Sequence, residues 1–212
     1  MSSSRARWGA FTAVLLLVFV GPLVVVVLYA FAARWVFPDI LPTAWSLRGA
    51  RFIAGNASAV ARATLSSTGY SLGVVAAAFL VCIAPATVLA RYEFRGRLAL
   101  EALFLSPVLI PAITWSMGLH FFLIRLRLAD TVWGVVVVLT AASYPYMLRA
   151  LISGLQQISP DIDTCAANLG ASWLRRMATI HIPLLSPAII AGGSVVFLVA
   201  FSEYFLVFLI GG

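Results

Sequence analysis

Side chains that could do chemistry lie in one polar segment, Ser159–Pro187, between long apolar runs. It carries two aspartates, two arginines and a histidine, and it contains three prolines. A segment of this composition is difficult to bury in a bilayer. A segment of this kind either connects two membrane spans or docks a partner, and the rest of the chain decides between these two interpretations.

Catalytic chemistry that depends on lysine is excluded by what the chain lacks. All fourteen basic residues are arginine, whereas a Walker A phosphate loop and a Schiff base both need a lysine. No catalytic cluster, metal-ligand spacing or cofactor motif is present, and Cys82 and Cys165 form neither a disulfide framework nor a metal site. The sequence therefore predicts that the protein is not an enzyme, and that any ATP hydrolysis belongs to a partner. A membrane-bound enzyme, the alternative, has no motif to support it.

The composition is that of a membrane protein. Hydrophobic residues make up 63% of the chain, charged residues 10%, and the mean hydropathy is +1.06, whereas soluble domains contain roughly 25% charged residues. The net charge of +7 comes from arginines at the ends of apolar runs, which is typical of membrane-flanking residues rather than of nucleic-acid binding.

The apolar runs predict an all-α, polytopic membrane bundle in a single domain over residues 1–212. Each run is long enough for a span, which needs about 20 residues, and Pro107 and Pro111 are expected to kink or interrupt the third. A signal peptide is the alternative for the first run, but its apolar region is too long. The five predicted spans are 9–33, 63–90, 98–124, 131–151 and 187–210, with a loop over 153–186 between the last two.

The arginine distribution gives a weak orientation. Slightly more arginines lie on the side of the N-terminus, so the positive-inside rule predicts a cytoplasmic N-terminus, with membrane lipid around the spans.

The polar segment has the signals of two short amphipathic helices. Ser159 and Pro160 predict the start of the first helix, and Gly170 predicts a left-handed end to it. Ser172 predicts the start of a second short helix, which Pro183 is expected to stop. A fifth span then begins at Ser186-Pro187. Such a pair either seals the bundle at the membrane surface or docks a cytoplasmic partner that supplies force.

The segment resembles the signature loop of the inner-membrane permease subunits of binding-protein-dependent ABC importers. That pattern is Glu-Ala-Ala, three residues, Gly, nine residues and Ile-x-Leu-Pro. This chain has Thr164-Cys165-Ala166, then Gly170, then Ile180-His181-Ile182-Pro183, with the same spacing. The short segments Ser159-Pro160-Asp161 and Leu169–Ser172 are also similar to the sequence of that loop in the family. The resemblance extends from about Trp8 to Gly212.

The resemblance implies a permease in a bacterial inner (plasma) membrane that couples a substrate pathway to separate ATPase subunits in the cytoplasm. It further implies a periplasmic or lipid-anchored substrate-binding protein and a second permease subunit, identical or different. The residues implied for the coupling loop are Asp163, Thr164, Cys165, Ala166, Gly170, Ala171, Ser172, Ile180 and Pro183.

Two departures from the family pattern stand out. Thr164 replaces the motif glutamate, which in the family helps the loop to sit on the ATPase; Asp163 is an imperfect substitute, because it lies about 100° away on a helix. Either the coupling to the ATPase is then weaker, or the groove of the ATPase that receives the loop is adapted to this sequence. In addition, such permeases usually continue through a sixth span, so a truncated, inactive permease is an alternative. A secondary transporter subunit is another, although it would need several intramembrane ionisable groups.

The substrate pathway has fewer signals. Glu203 is the only acid predicted deep inside a late span, and such acids usually face a bundle interior or water; a structural role is the alternative. The candidate pathway or gate residues are Glu203, Tyr204, His120, Ser143 and Tyr144. The local sequences at Leu169–Ser172 and Phe201–Tyr204 are similar to those of permeases for polyamines, iron(III), thiamine and molybdate. A polyamine-like cation is the first prediction for the substrate, with thiamine, iron(III) or an oxyanion as alternatives.

Overall fold

The chain divides into two compact units, one up to Ala63 and one from Thr64. The computed structural model describes the backbone of residues 2–211, and the side chains of all of these except 2–7, 10, 112, 113, 115 and 116. The prediction of a single domain over 1–212 stays a prediction.

The first unit contains the N-terminal span and a small surface structure. Helix α1 covers Ser2–Phe31. It leads into strand β1, Ala32–Arg34, which pairs antiparallel with β2, Ala44–Trp45. Helix α2, Arg48–Gly55, follows. The two-stranded sheet was not predicted, because its strands are too short to show an alternating pattern.

The second unit is almost entirely helical. Helix α3 begins at the end of the first unit, and the remaining helices follow in chain order. They are α3 Ala57–Arg91, α4 Arg97–Leu105, a 3-10 turn Ser106–Leu109, α5 Ala112–Arg125, α6 Val132–Gln157, α7 Pro160–Asn168, α8 Trp173–Arg176, a π-turn Met177–His181, α9 Ile182–Ser202 and α10 Phe205–Gly211.

Within residues 2–211, four helices are long and apolar enough to cross a membrane: Phe11–Phe31, Ala57–Arg91, Val132–Gln157 and Trp173–Ser202. The protein is therefore an all-α, multi-pass membrane bundle, as predicted. The predicted loop over 153–186 was too long at its start, because α6 continues to Gln157.

The predicted third span, 98–124, is not a single helix; it is interrupted, as Pro107 and Pro111 predicted. The chain forms α4, the 3-10 turn and α5 instead. Pro107 lies within the 3-10 turn, and Pro111 precedes α5 with an extended backbone at Ile110. Each proline lacks the N–H that would continue the helix, and its ring clashes with the preceding turn. The interruption therefore falls where the prolines are.

The predicted helix stop at Pro183 is also wrong, since a continuous helical segment runs from Trp173 to Ser202. The amide of Ile182 bonds to the carbonyl of Met177, five residues earlier, which closes a π-turn. A wider turn accommodates the missing N–H and the bulky ring of Pro183. The predicted fifth span at 187–210 consequently starts too late. It also ends too late, because α9 stops at Ser202 and Glu203 adopts an extended conformation.

The core of the second unit lies along α6, which packs against α3, α9 and α10. Its fully buried side chains come from these four helices and, at Leu123, from α5. Most outward-facing apolar side chains are exposed, as expected for a surface that meets lipid. The largest buried side chains include Leu89, Leu139, Met147, Leu148, Leu151, Leu155, Leu185, Leu206 and Ile210.

Glycines allow α6 and α9 to approach closely. A Cβ atom built on Gly192 would lie 2.7 Å from the Cβ of Ala150, and one built on Gly154 would lie 2.6 Å from the Cβ of Ala188. In α3, Gly69 and Gly73 have the small-xxx-small spacing that predicts a helix-packing pair. A Cβ atom built on Gly69 would meet nothing within 4 Å, and one built on Gly73 would meet only Cγ2 of Val136, at 3.8 Å. The small residues that allow close helix packing thus lie between α6 and α9.

Gly192→Ala is expected to lower the free energy of unfolding by about 1–3 kcal/mol, because neither Cβ atom can move without shifting a helix backbone. Gly69→Ala is the matched control and should be neutral or slightly stabilising, since its added methyl group meets nothing. Denaturation in mixed detergent micelles measures both. Equal stabilities of the two variants would contradict the close packing of α6 and α9.

Candidate functional site

Helix α7 is built by the signals predicted for it. The Ser159 hydroxyl accepts a hydrogen bond from the amide of Asp161, and Pro160 occupies the first turn. At the other end Gly170 has a φ of +80°. The amide of Gly170 bonds to the carbonyl of Ala167, and the amide of Ala171 bonds to the carbonyl of Ala166. This pair of bonds is a Schellman cap, which requires a left-handed residue. The predicted cap and helix end are confirmed.

The Asp163 side chain links α7 to the beginning of the last long span, Trp173–Ser202. Its Oδ2 atom accepts a hydrogen bond from Nη1 of Arg176 at 2.8 Å, and its Oδ1 atom lies 2.8 Å from Nε2 of His181. Only 9% of His181 is exposed. Charge-assisted bonds of this length are strong. Asp163 is therefore turned toward the bundle, and it does not replace the motif glutamate on the outer face of α7.

The environment of Asp163 changes its acidity in two directions. Partial burial raises the pKa of the carboxyl group, but the hydrogen bond from His181 and the charge of Arg176 outweigh that effect. The net result is a pKa below the ordinary value for aspartate. The folded state therefore favours the ionised carboxylate.

This pKa shift predicts a pH dependence of stability. A carboxylate whose pKa falls on folding contributes its full stability above roughly pH 4. That contribution is lost as the pH falls through the folded-state pKa. The difference in thermal midpoint between the wild type and Asp163→Asn should thus be largest near neutral pH and shrink toward zero in more acidic solution. A difference that stays constant with pH would contradict the ion pair.

A second contact joins the same end of the bundle. Nη1 of Arg91, at the end of α3, donates a hydrogen bond to the carbonyl oxygen of Ile158 at 2.7 Å. Ile158 caps α6 and directly precedes α7. The α7 segment, residues 158–181, is thus attached to α3, to α6 and to the start of α9.

The outer face of α7 is exposed and mostly uncharged. Thr164, Cys165 and Gly170 are exposed, while Ala166 and Ala171 are half-buried. The Thr164 hydroxyl donates to the carbonyl oxygen of Pro160 at 3.1 Å, within its own helix.

Beyond α7, Leu169 is 88% exposed and Leu174 is also strongly exposed. Ser172 caps α8, Ile180 is half-buried, and Pro183 is exposed. Large exposed apolar side chains beside a polar helix are typical of an interaction surface.

The predicted pathway residues are dispersed. Glu203 lies between α9 and α10, where its Oε1 atom accepts a hydrogen bond from the amide of Leu206 at 3.3 Å, and Tyr204 is exposed. His120 lies on α5, and no hydrogen bond joins it to Glu203 among the described residues. Ser143 is fully buried and donates to the carbonyl oxygen of Leu139, whereas Tyr144 is half-buried.

The sequence indicated Asp163 but missed its partners. Arg176 and His181 lie 13 and 18 residues further along the chain, and no helical or strand periodicity links such positions. Arg91 was interpreted only as a membrane-flanking residue. Arg176 directly precedes the π-turn and His181 is its last residue, and the π-turn that brings both toward Asp163 was not predicted.

Comparisons with known proteins agree with this architecture. The model of the family described as binding-protein-dependent transport system inner membrane component matches residues 69–212. A putative ABC transporter permease protein of Streptomyces antibioticus is 29% identical, covering 69% of this chain and 64% of the relative. The sulfate transport system permease protein of Salmonella typhimurium is 28% identical, covering 60% of this chain and 50% of the relative.

A third relative matches more of the chain. A putative 2-aminoethylphosphonate transport system permease protein of Salmonella typhi is 30% identical, covering 86% of this chain and 69% of the relative. The chain thus spans between half and about seven tenths of the length of these relatives. With more than half of its residues matched by the family model, the chain belongs to the family of binding-protein-dependent transport system inner membrane components.

Proposed function

We propose that the chain is a permease subunit of an ABC importer, and that the α7 segment is the docking element for a separate cytoplasmic ATPase. The observation that carries this proposal is the two-sided character of α7. Its outer face is exposed, while Asp163 on its inner side is bound to Arg176 and His181. A force applied to the outer face would therefore reach the membrane spans through polar contacts of fixed geometry.

The path of that force follows from the contacts. Asp163 connects α7 to the π-turn that continues directly into α9. Arg91 connects the end of α3 to Ile158, which links α6 to α7. Movement of α7 would thus shift the positions of α3, α6 and α9 together. Coupling between two sites requires such an element, whose conformational equilibrium both sites influence. Under this proposal the end of the bundle that carries α7 faces the cytoplasm, and a cytoplasmic N-terminus stays a prediction.

The departure at Thr164 favours an adapted partner surface. The Thr164 hydroxyl bonds within α7, and Asp163 is turned inward, so neither side chain presents a carboxylate at the motif position. The exposed leucines 169 and 174 offer apolar area instead. Burial of apolar area is the main source of association energy in most interfaces. We expect the ATPase groove to be correspondingly apolar.

The remaining partners and the substrate follow from the family. We infer a second permease subunit, a substrate-binding protein outside the membrane, and ATP hydrolysis in the partner ATPase. Two relatives are named for sulfate and for 2-aminoethylphosphonate, and these names support the oxyanion alternative for the substrate. A polyamine-like cation stays a prediction without support from the relatives. Glu203, Tyr204, His120, Ser143 and Tyr144 remain the proposed pathway residues.

Co-purification tests the function. The affinity-tagged chain, expressed with the neighbouring genes, is expected to retain an ATPase that carries a Walker A motif. The complex should also accumulate substrate in proteoliposomes only when ATP is supplied. Transport driven by an ion gradient without any ATPase would instead favour a secondary transporter subunit.

A further inference from the structure

A cleft of about 360 Å³ lies behind α7, between this helix and the bundle. Its walls come from the ends of α3 and α6, from α7, and from the segment that begins the last span. Arg91, Arg176 and His181 form its polar end, and Ile83, Leu155 and Leu185 form an apolar wall. The cleft therefore combines cationic and apolar surfaces at one end of the bundle.

Three nitrogen atoms on these polar residues are buried without a hydrogen-bond partner among the described residues. They are Nη2 of Arg91, Nε of Arg176 and Nδ1 of His181. A buried polar group without a partner destabilises the fold, and a bound acceptor would relieve that cost. Both arginine side chains line the cleft, so small rotations of their guanidinium groups would bring these donors onto an acceptor inside it. The cleft is thus poised to bind a group rich in acceptor oxygens.

The charge balance points to an anion. Asp163 is the acidic residue in the cleft wall, and both its carboxylate oxygens already bind Arg176 and His181. Two arginines facing one aspartate leave an excess of positive charge. Guanidinium groups match the geometry of phosphate oxygens and bind them by paired hydrogen bonds.

The position of the cleft favours a lipid phosphate over free phosphate. Tyr92 and Trp173, both exposed, stand at its rim, and these residue types concentrate at the headgroup level of membranes. The apolar wall lies on the membrane side of the arginines, because Ile83 precedes Arg91 in α3 and Leu185 lies within α9. Basic pockets between membrane helices are suited to anionic headgroups.

We propose that this cleft binds the phosphate group of an anionic phospholipid, with Arg91 and Arg176 as the phosphate ligands and the glycerol backbone against the apolar wall. The bound headgroup would brace α7 against α3 and α9. This inference depends on the membrane position of the cleft, and it holds whatever the protein transports.

Native mass spectrometry of the full chain in detergent tests the proposal. Phosphatidylglycerol is expected to bind at one saturable site, about tenfold more tightly than phosphatidylcholine. Because charge-assisted hydrogen bonds contribute about 1.5–3 kcal/mol, Arg91→Gln should weaken phosphatidylglycerol binding roughly tenfold or more. Arg175→Gln is the matched control, since Arg175 is an exposed neighbour of Arg176 that does not line the cleft. The affinity of this variant for phosphatidylglycerol should stay at the wild-type value.

Three outcomes would overturn the proposal. Equal affinities of Arg91→Gln and the wild type would exclude the site. Equal losses in Arg91→Gln and Arg175→Gln would show attraction to surface charge alone. Inorganic phosphate that displaces the lipid at millimolar concentration, and binds by itself, would assign the cleft to free phosphate. If Arg91→Gln fails to purify, Arg91→Lys replaces it and should still lose several-fold in affinity, because it removes the second guanidinium arm.

Discussion

Asp163→Ala is expected to lower substrate transported per ATP hydrolysed about tenfold in a reconstituted complex. Asp163 is the only side chain of α7 that binds both Arg176 and His181 among the described residues. Its removal leaves two partly buried cationic or polar groups without their acceptor and frees α7 from the last span. Coupling free energies between sites are typically 1–3 kcal/mol, so the loss of one mechanical link is large enough for this effect. The stability cost should be about 1–2 kcal/mol, because the pair is partly screened by solvent.

The ratio of transport to ATP hydrolysis distinguishes this effect from simple unfolding. An unfolded variant loses both activities in parallel, whereas an uncoupled one keeps hydrolysis. The double variant Asp163→Arg with Arg176→Asp reverses the pair and should recover part of the coupling. Normal transport per ATP in a well-folded Asp163→Ala complex would show that the link between α7 and the last span carries no force.

Gly170→Asp is expected to reduce ATPase co-purification at least about tenfold. The residue lies at the exposed end of α7 with a φ of +80°, and an added Cβ atom meets nothing within 4 Å. The intramolecular cost is therefore limited to backbone strain of about 1 kcal/mol, since aspartate tolerates the left-handed region better than most residues. The main effect comes from a new carboxylate beside exposed apolar side chains, which would be buried in the proposed interface without a partner.

Gly96→Asp is the matched control for this variant. Gly96 also has a positive φ, +92°, and open space at the Cβ position, but it precedes α4, in a different loop. The two variants therefore share the strain and the added charge. Equal ATPase retention by Gly170→Asp and Gly96→Asp, both near the wild-type level, would exclude α7 as the docking surface.

The sequence was most informative where local chemistry determines local structure. Ser159, Pro160 and Gly170 predicted both ends of α7, because a helix cap and a left-handed residue depend only on neighbouring atoms. The prolines at 107 and 111 predicted where the third span is interrupted. In contrast, Pro183 predicted a helix stop that does not occur, because the π-turn before it accommodates the ring.

The sequence was least informative for contacts between distant positions. Asp163 was identified, but its direction could not be predicted, because both faces of α7 contain polar residues. The close approach of α6 and α9 at Gly154 and Gly192 was missed in favour of Gly69 and Gly73. Glycine spacing shows where a helix can be approached, whereas the three-dimensional packing determines which glycines are used.

Labelling of Cys165 tests the central claim most directly. The chain has two cysteines; Cys82 is buried in the bundle, whereas Cys165 is exposed on α7. A water-soluble maleimide therefore reports on the outer face of α7 without any mutation. If α7 docks the ATPase, assembly of the complex should slow Cys165 labelling at least about tenfold, as expected for a side chain within a buried interface. An unchanged labelling rate in a complex that transports substrate would contradict the assignment of α7 as the docking element.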